Sequence, residues 1–185
     1  VFLIDHILKS AGRNPGIVTT VQYAFGGRTI PSEMTTPDNP VLFDLLSQMV
    51  KAGCDAAVLE VSSQAADQKR DAGIDFQLKV FTNISQDHLD YHKTMEEYKK
   101  AKESFLFSGE RVPVVLNMDD AFGRDLQANY SSDIETVTYG IQNAADFQAA
   151  IDPAEWQQGR FSVRTPDGEI KVQTRLKGLF NVSNI

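Results

Sequence analysis

The sequence holds a single cysteine, Cys54. No intramolecular disulfide can staple the fold, so the chain reads as the product of a reducing, cytoplasmic compartment. With no histidine near it in sequence and an apolar run just after it, Cys54 reads as a small buried hydrophobe rather than a nucleophile. A basic surplus is also missing. There are 25 acidic residues against 18 basic ones, a formal charge of −7, which argues against a nucleic-acid partner because phosphate backbones are held by basic surfaces. No apolar run approaches the roughly 20 residues of a membrane-spanning helix, and no signal-peptide pattern is found. Repeats and low-complexity segments are absent. An initiating methionine is absent too: the chain opens at Val1 inside an amphipathic pattern and stops at Ile185 inside another segment. The expectation from these ends is a fragment of a larger protein.

What is present suits one sizeable domain: 185 residues with 42% hydrophobic content can bury a real core. Phe2, Leu3, Ile7, Leu8 and Ala11 recur at helical spacing, with Gly12 to end the helix. Ile17–Val21 reads as a strand. Pro40, preceded by Asp38 or Asn39 as cap, starts a helix through Met49 to Gly53. Ala56–Val61 is a short apolar strand followed by a polar helix-like stretch from Ser62 to Arg70. Leu78–Ile84 is the next strand, Asp87–His92 a loop, and Thr94–Phe107 a helix in which Thr94 and Glu97 form a capping box. Val112–Leu116 is a strand and Asp120–Ala128 a helix. Near-continuous apolar strands alternating with helices predict an α/β fold, a mainly parallel sheet with helices on both faces. After about Ala149, alternation in Arg160–Val163 and Ile170–Thr174 around the turn Thr165-Pro166-Asp167-Gly168 predicts a small antiparallel ribbon appended to that sheet.

Open parallel sheets bind ligands beyond the carboxyl ends of their strands. Three polar clusters fall at such ends: Glu60-Val61-Ser62-Ser63, Asn83 to His92, and Asn117-Met118-Asp119-Asp120.

The segments Glu60-Val61-Ser62-Ser63-Gln64 and Phe81-Thr82-Asn83-Ile84-Ser85-Gln86-Asp87-His88-Leu89-Asp90-Tyr91-His92 closely resemble the Mur ligase superfamily. Thr35-Thr36-Pro37-Asp38, Tyr98-Lys99-Lys100-Ala101-Lys102, Asn117-Met118-Asp119-Asp120 and Phe180-Asn181-Val182-Ser183-Asn184 add to the match. Order and spacing are most similar to the MurE branch, which adds the third residue of the cell-wall stem peptide. The twelve-residue segment around His88 is highly specific. The match is weakest from about Ser132 to Gln173, and Gln64 and Asp71 depart from the commoner family pattern.

The resemblance implies a P-loop-like central, ATP-handling domain over residues 1–179, with 180–185 beginning a linker to a C-terminal domain. No G-x-x-x-x-G-K-[ST] phosphate loop occurs in the sequence. In the family that loop precedes the helix corresponding to Phe2–Ala11, so residues 1–185 alone are expected to be inactive. The implied activity is ATP-dependent amide ligation. It adds diaminopimelate or lysine to UDP-MurNAc-L-Ala-D-Glu through an acyl phosphate, by a cytoplasmic monomer without a membrane partner.

The family's roles fall on matching residues. Glu60 corresponds to a magnesium-ligating glutamate; on its own it could equally cap the following helix. His88 corresponds to a further magnesium ligand, although an imidazole is an unusual partner for that ion, and His92 is left a structural role. Lys102 corresponds to a lysine carbamylated by carbon dioxide, whose carbamate faces magnesium; by pattern alone Lys99, Lys100 and Lys102 would be a solvated face. Catalysis is thus assigned to Glu60, His88 and Lys102. Thr35, Thr36, Ser62, Gln68 and Arg70 correspond to substrate contacts, the arginine fork suiting carboxylate or phosphate, while the threonines could also be a turn and the segment to Arg70 a polar surface helix. Asn117, Asp120, Asn181 and Asn184 correspond to positions around the nucleotide, though Asn117 to Asp120 would also serve as a helix start. These assignments turn on one arrangement, in which Glu60, His88 and Lys102 meet around a cation. Two other readings remain open on the residues alone. His88, His92 and Glu96 at helical spacing would make a zinc hydrolase, and the fold could be a non-catalytic nucleotide-binding module.

Overall fold

The computed structural model describes residues 1–85, 90–107, 109 and 111–185, and the backbone of residue 89. The chain divides into two compact units, Val1–Ile74 with Leu89–Phe105, and Asp75–His88 with Leu106–Ile185.

The first unit opens with α1 (Phe2–Ser10), an amphipathic helix ended by Ala11 and by Gly12 in the left-handed region. Three strands follow: β1 (Pro15–Val18), β2 (Gln22–Phe25) and β3 (Arg28–Pro31). Then come α2 (Asn39–Lys51), β4 (Ala56–Leu59), α3 (Ser63–Asp67), α4 (Leu89–His92) and α5 (Met95–Phe107), the last crossing into the second unit's residues. The sheet order is β3-β2-β1-β4, with β1 and β4 parallel and β1-β2-β3 antiparallel. The strand expected over Ile17–Val21 therefore stops early. The Thr19 side chain explains this: its hydroxyl accepts from the N–H groups of Val21 at 3.1 Å and Gln22 at 3.0 Å and donates to the Gln22 carbonyl at 2.9 Å. That local bonding turns the chain into a hairpin, which a β-branched pair in an apolar run disguises.

The core of this unit is Val18, Tyr23, Phe25, Leu42, Leu45 and Met49. Leu42 and Val18 are fully buried, and a Cβ added to Gly16 would sit 2.5 Å from the Met49 sulfur. So the Met49 side chain of α2 packs directly on the Gly16 backbone, and a side chain at that position would have to displace it. Half-buried Cys54 packs against the same core, as expected of a small hydrophobe. The turns leading into β1 and β4 are tied together by Asp55, which accepts from Arg13 Nε at 2.7 Å and the Asn14 N–H at 2.9 Å. The Arg13 hydrogen bond, then that of Asn14, holds the Asp55 carboxyl below its ordinary range.

The second unit contains β5 (Lys79–Phe81), β6 (Val114–Asn117), α6 (Ala121–Tyr130), β7 (Thr136–Gly140), β8 (Phe147–Ala150), α7 (Pro153–Gln157), β9 (Arg160–Thr165), β10 (Gly168–Gln173) and α8 (Leu179–Asn184). Its sheet order is β10-β9-β8-β7-β6-β5. The ladders from β5 to β8 are parallel, and β8-β9-β10 are antiparallel. The predicted ribbon is thus present and joined to the parallel strands through β8. The strands β7 and β8 and the helix α7 were not anticipated; β7 and β8 are short, and polar residues interrupt their apolar pattern. Gly123 of α6 packs so tightly over the end of β6 that a Cβ there would overlap the Asn117 carbonyl.

Candidate functional site

Glu60 follows β4 directly, and its N–H donates to the Val18 carbonyl at 2.9 Å, extending the parallel ladder by one bond. Its exposed carboxylate therefore stands at the carboxyl end of β1 and β4. Thr20 grips it twice, its N–H to Oε2 at 3.2 Å and its hydroxyl with Oε1 at 3.0 Å. The Thr20 hydroxyl also lies 3.0 Å from that of Thr35. Buried Thr36 locks the backbone behind: its hydroxyl donates to the Glu60 carbonyl at 2.8 Å and accepts from the Ser62 N–H at 3.1 Å. The Ser62 hydroxyl in turn caps α3, accepting from the Ala65 N–H at 3.2 Å. Glu60, Thr35, Thr36 and Ser62, named from sequence, form one continuous polar rim. Thr20 was missed, since it was read as strand interior. Carboxylate and hydroxyl oxygens side by side fit a hard divalent cation.

Arg70 joins this rim from the far side of α3. Its Nη1 donates to the Thr36 carbonyl at 2.8 Å, and its Nε and Nη2 donate to Gln68 Oε1 at 2.9 and 2.6 Å. Asp38 lies 3.2 Å from Arg70 Nε. The carboxylate expected to cap α2 is thus turned to Arg70 and makes no side-chain cap bond. Asn39 donates to the carbonyls of Arg70 and Ala72 at 3.0 and 2.9 Å, so the arginine's backbone is fixed as well.

His92 is buried, its Nε2 2.8 Å from the Ser63 hydroxyl, and its ring stacks on Tyr98 at 5.2 Å. Half-buried Lys102, one turn on, holds its Nζ 5.3 Å from the Tyr98 ring centre. The Thr94 hydroxyl caps its helix, accepting from the Glu97 N–H at 3.1 Å, which is one half of the predicted box; the Thr94 N–H donates instead to the His92 carbonyl at 2.6 Å. Leu89–His92 is a helical turn rather than the loop read from sequence. His88 lies outside the described residues. Among the described residues no group of three or more His, Cys, Asp or Glu is arranged to hold a metal ion. His92 is committed to Ser63 and Tyr98, so the zinc reading with His88 and Glu96 gains no support.

In the second unit Asn117, buried at the end of β6, donates to the Thr82 carbonyl at 2.7 Å and accepts from the Asp119 N–H at 2.9 Å. Asp120 caps α6 through the Phe122 N–H at 2.8 Å and also accepts from the Ile84 N–H at 2.9 Å. Asp119 gathers the N–H groups of Ile141, Gln142 and Asn143 at 2.6, 2.9 and 2.9 Å. Burial pushes its carboxyl up, but those N–H groups and the Asn143 amide outweigh burial and hold it below the ordinary range. Burial, with the nearby charges of Asp119 and Asp120, pushes the Tyr139 phenol up to about 12. Asn181 donates to the Lys177 carbonyl at 2.6 Å, and Asn184 is exposed at the end of α8.

Residues 2–185 match the Mur ligase middle domain. The chain belongs to that family. A UDP-N-acetylmuramoyl-L-alanyl-D-glutamate–2,6-diaminopimelate ligase of Geobacillus thermodenitrificans is 39% identical over 193 residues, covering 99% of this chain and 38% of the relative. The enzyme of the same name from Listeria monocytogenes is 36% identical over 191 residues, with the same coverage of both. Among solved structures, one of a ligase of that name superposes with a TM-score of 0.84 at 29% identity, covering 98% of this chain and 38% of that one. The Mur ligase middle domain therefore accounts for the chain, which spans 38% of the length of these curated relatives. No helix among the described residues is long and apolar enough to cross a membrane.

Proposed function

We propose that the chain is the ATP-handling domain, residues 1–179 with a linker beginning at 180–185, of a cytoplasmic, monomeric amide ligase that extends a muramyl peptide. ATP phosphorylates the terminal carboxylate of UDP-MurNAc-L-Ala-D-Glu, and the amine of a diamino acid displaces phosphate from the acyl phosphate. The names of the relatives favour diaminopimelate over lysine. The observation that carries this reading is the Glu60 rim: a carboxylate held by Thr20 at the ends of two parallel strands, with the Thr35 hydroxyl beside it.

Glu60, His88 and Lys102 as its carbamate would hold magnesium, which neutralises the phosphate charge that builds up in transfer. Carbamylation joins the neutral Lys102 amine nitrogen to the carbon of carbon dioxide, releases one proton to solvent and leaves an anion. The Lys102 Nζ lies 5.3 Å from the centre of the Tyr98 ring, which stacks on His92. Thr35, Ser62, Gln68 and Arg70 bind the precursor, Arg70 offering its fork to an acidic group, while Thr36, expected there too, is buried and supports the rim from behind. Asn117 and Asp120, already bonded within their unit, order the surface under the nucleotide, while Asn181 and Asn184 contact the base. The test is incubation of the full gene product with ATP, magnesium, the UDP-muramyl dipeptide and diaminopimelate. The expected result is one ADP released per tripeptide formed. ATP hydrolysis without tripeptide, or no ATP use with any diamino acid, would overturn the proposal.

A further inference from the structure

Tyr91 belongs to no role assigned above, yet its hydroxyl touches two residues of α3 and its end. It donates to Asp67 Oδ2 at 2.8 Å and accepts from Gln68 Nε2 at 3.0 Å. We propose that Tyr91 is a positioning residue for substrate binding, fixing the Gln68 amide so that its oxygen aims the Arg70 guanidinium.

The direction of every bond follows from the groups involved. A carboxylate only accepts and a guanidinium only donates, so the chain between Asp67 and Arg70 has one consistent polarity. The single tyrosine proton goes to Asp67. The hydroxyl then needs a donor, and the Gln68 NH2 supplies it. That turns Gln68 Oε1 toward Arg70, where it accepts from Nε and Nη2 together. With two of its nitrogens held by one oxygen and Nη1 bonded to the Thr36 carbonyl, the guanidinium plane is set relative to the rim that carries Glu60. The arginine alone also favours the amide oxygen, and the tyrosine adds to that preference by giving the Gln68 NH2 an acceptor on the opposite side.

Tyr91 is itself well anchored. Its ring meets that of His92 edge-on at 4.8 Å, and His92 is buried against Ser63. A solvated glutamine is thereby oriented by a hydroxyl on a fixed helical turn 23 residues away.

This inference rests on the assignment of Arg70 to the precursor, and its test separates the two. Tyr91→Phe keeps the ring and removes the hydroxyl. In the full gene product, KM for the UDP-muramyl dipeptide should rise about 3–10-fold, the range expected for one lost solvent-reached hydrogen bond, with kcat and KM for ATP unchanged. In a Gln68→Leu background the same substitution should add no further change, because the relay is already cut. Independently of any activity, Tyr91→Phe should shift or broaden the Arg70 Nε–H signal in a nitrogen-15 NMR spectrum. An unmoved Arg70 signal, an unchanged KM, or effects that add fully across the two backgrounds would overturn the relay. If the wild-type protein ligates nothing, the functional reading fails, and the Arg70 signal still decides whether Tyr91 positions the guanidinium.

Discussion

Thr20 holds the Glu60 carboxylate with two donors, its backbone N–H and its hydroxyl, across 40 residues of sequence. A carboxylate at a strand end has several rotamers open to it, and two bonds from one residue select one. Thr20→Val keeps the shape and the backbone bond but removes the hydroxyl. The expected outcome is a rise of about 3–10-fold in the magnesium concentration for half-maximal ligation, with stability little changed. A magnesium titration of the initial rate checks it.

His92 is the keystone of a buried stack between Ser63 and Tyr98. His92→Ala removes a packed ring and orphans a buried hydroxyl. It should destabilise the protein by about 2–4 kcal/mol, measured by urea unfolding. Because the Lys102 Nζ lies over the Tyr98 ring, the same variant should also lose the signal of the carbamate proposed on Lys102 in a carbon-13 bicarbonate NMR experiment.

Asp119 ties the end of β6 to the residues after β7. Its carboxyl is held below the value of 3.8 expected in an unfolded chain. A depressed folded-state value means that the stabilisation is fully present above about pH 4 and is lost as pH falls through the folded value. Asp119→Asn should therefore lower Tm at pH 7, and its Tm should fall less than that of the wild type between pH 5 and pH 2. Parallel Tm–pH curves would refute the assignment.

Gly123→Ala places a methyl against the Asn117 carbonyl. Backbone cannot yield as a flexible side chain can, so unfolding should become easier by about 1–3 kcal/mol. Denaturant melts of the two proteins compare this directly.

Much of this was legible in the sequence because its signals are local. Pro40, the capping pair Thr94 and Glu97, and the turn at Thr165 to Gly168 mark their elements within a few residues. Glu60, Ser62, Gln68 and Arg70 lie on or just beyond a strand end and the helix after it, continuous in sequence, but their roles and that of Thr36 were readable only through the resemblance to the Mur ligases. What stayed hidden is tertiary. The role of Thr20 depends on β1 pairing with β4, and that of Tyr91 on α4 returning to α3 from a distant part of the chain. The β1–β2 hairpin was obscured because the Thr19 hydroxyl bonds its own backbone inside an apolar run. Asp38 looked like a helix cap, yet Arg70, which no local pattern brings near it, draws its carboxylate away.

We propose that Glu60, His88 and Lys102 gather around one cation. Manganese, a magnesium surrogate, can be located directly in crystals of the full gene product grown with a non-hydrolysable ATP analogue. An anomalous peak within about 2.4 Å of a Glu60 carboxylate oxygen, with the His88 imidazole in the same coordination sphere, is the predicted result. Manganese bound to the analogue's phosphates with Glu60 and His88 both outside its coordination sphere would contradict it.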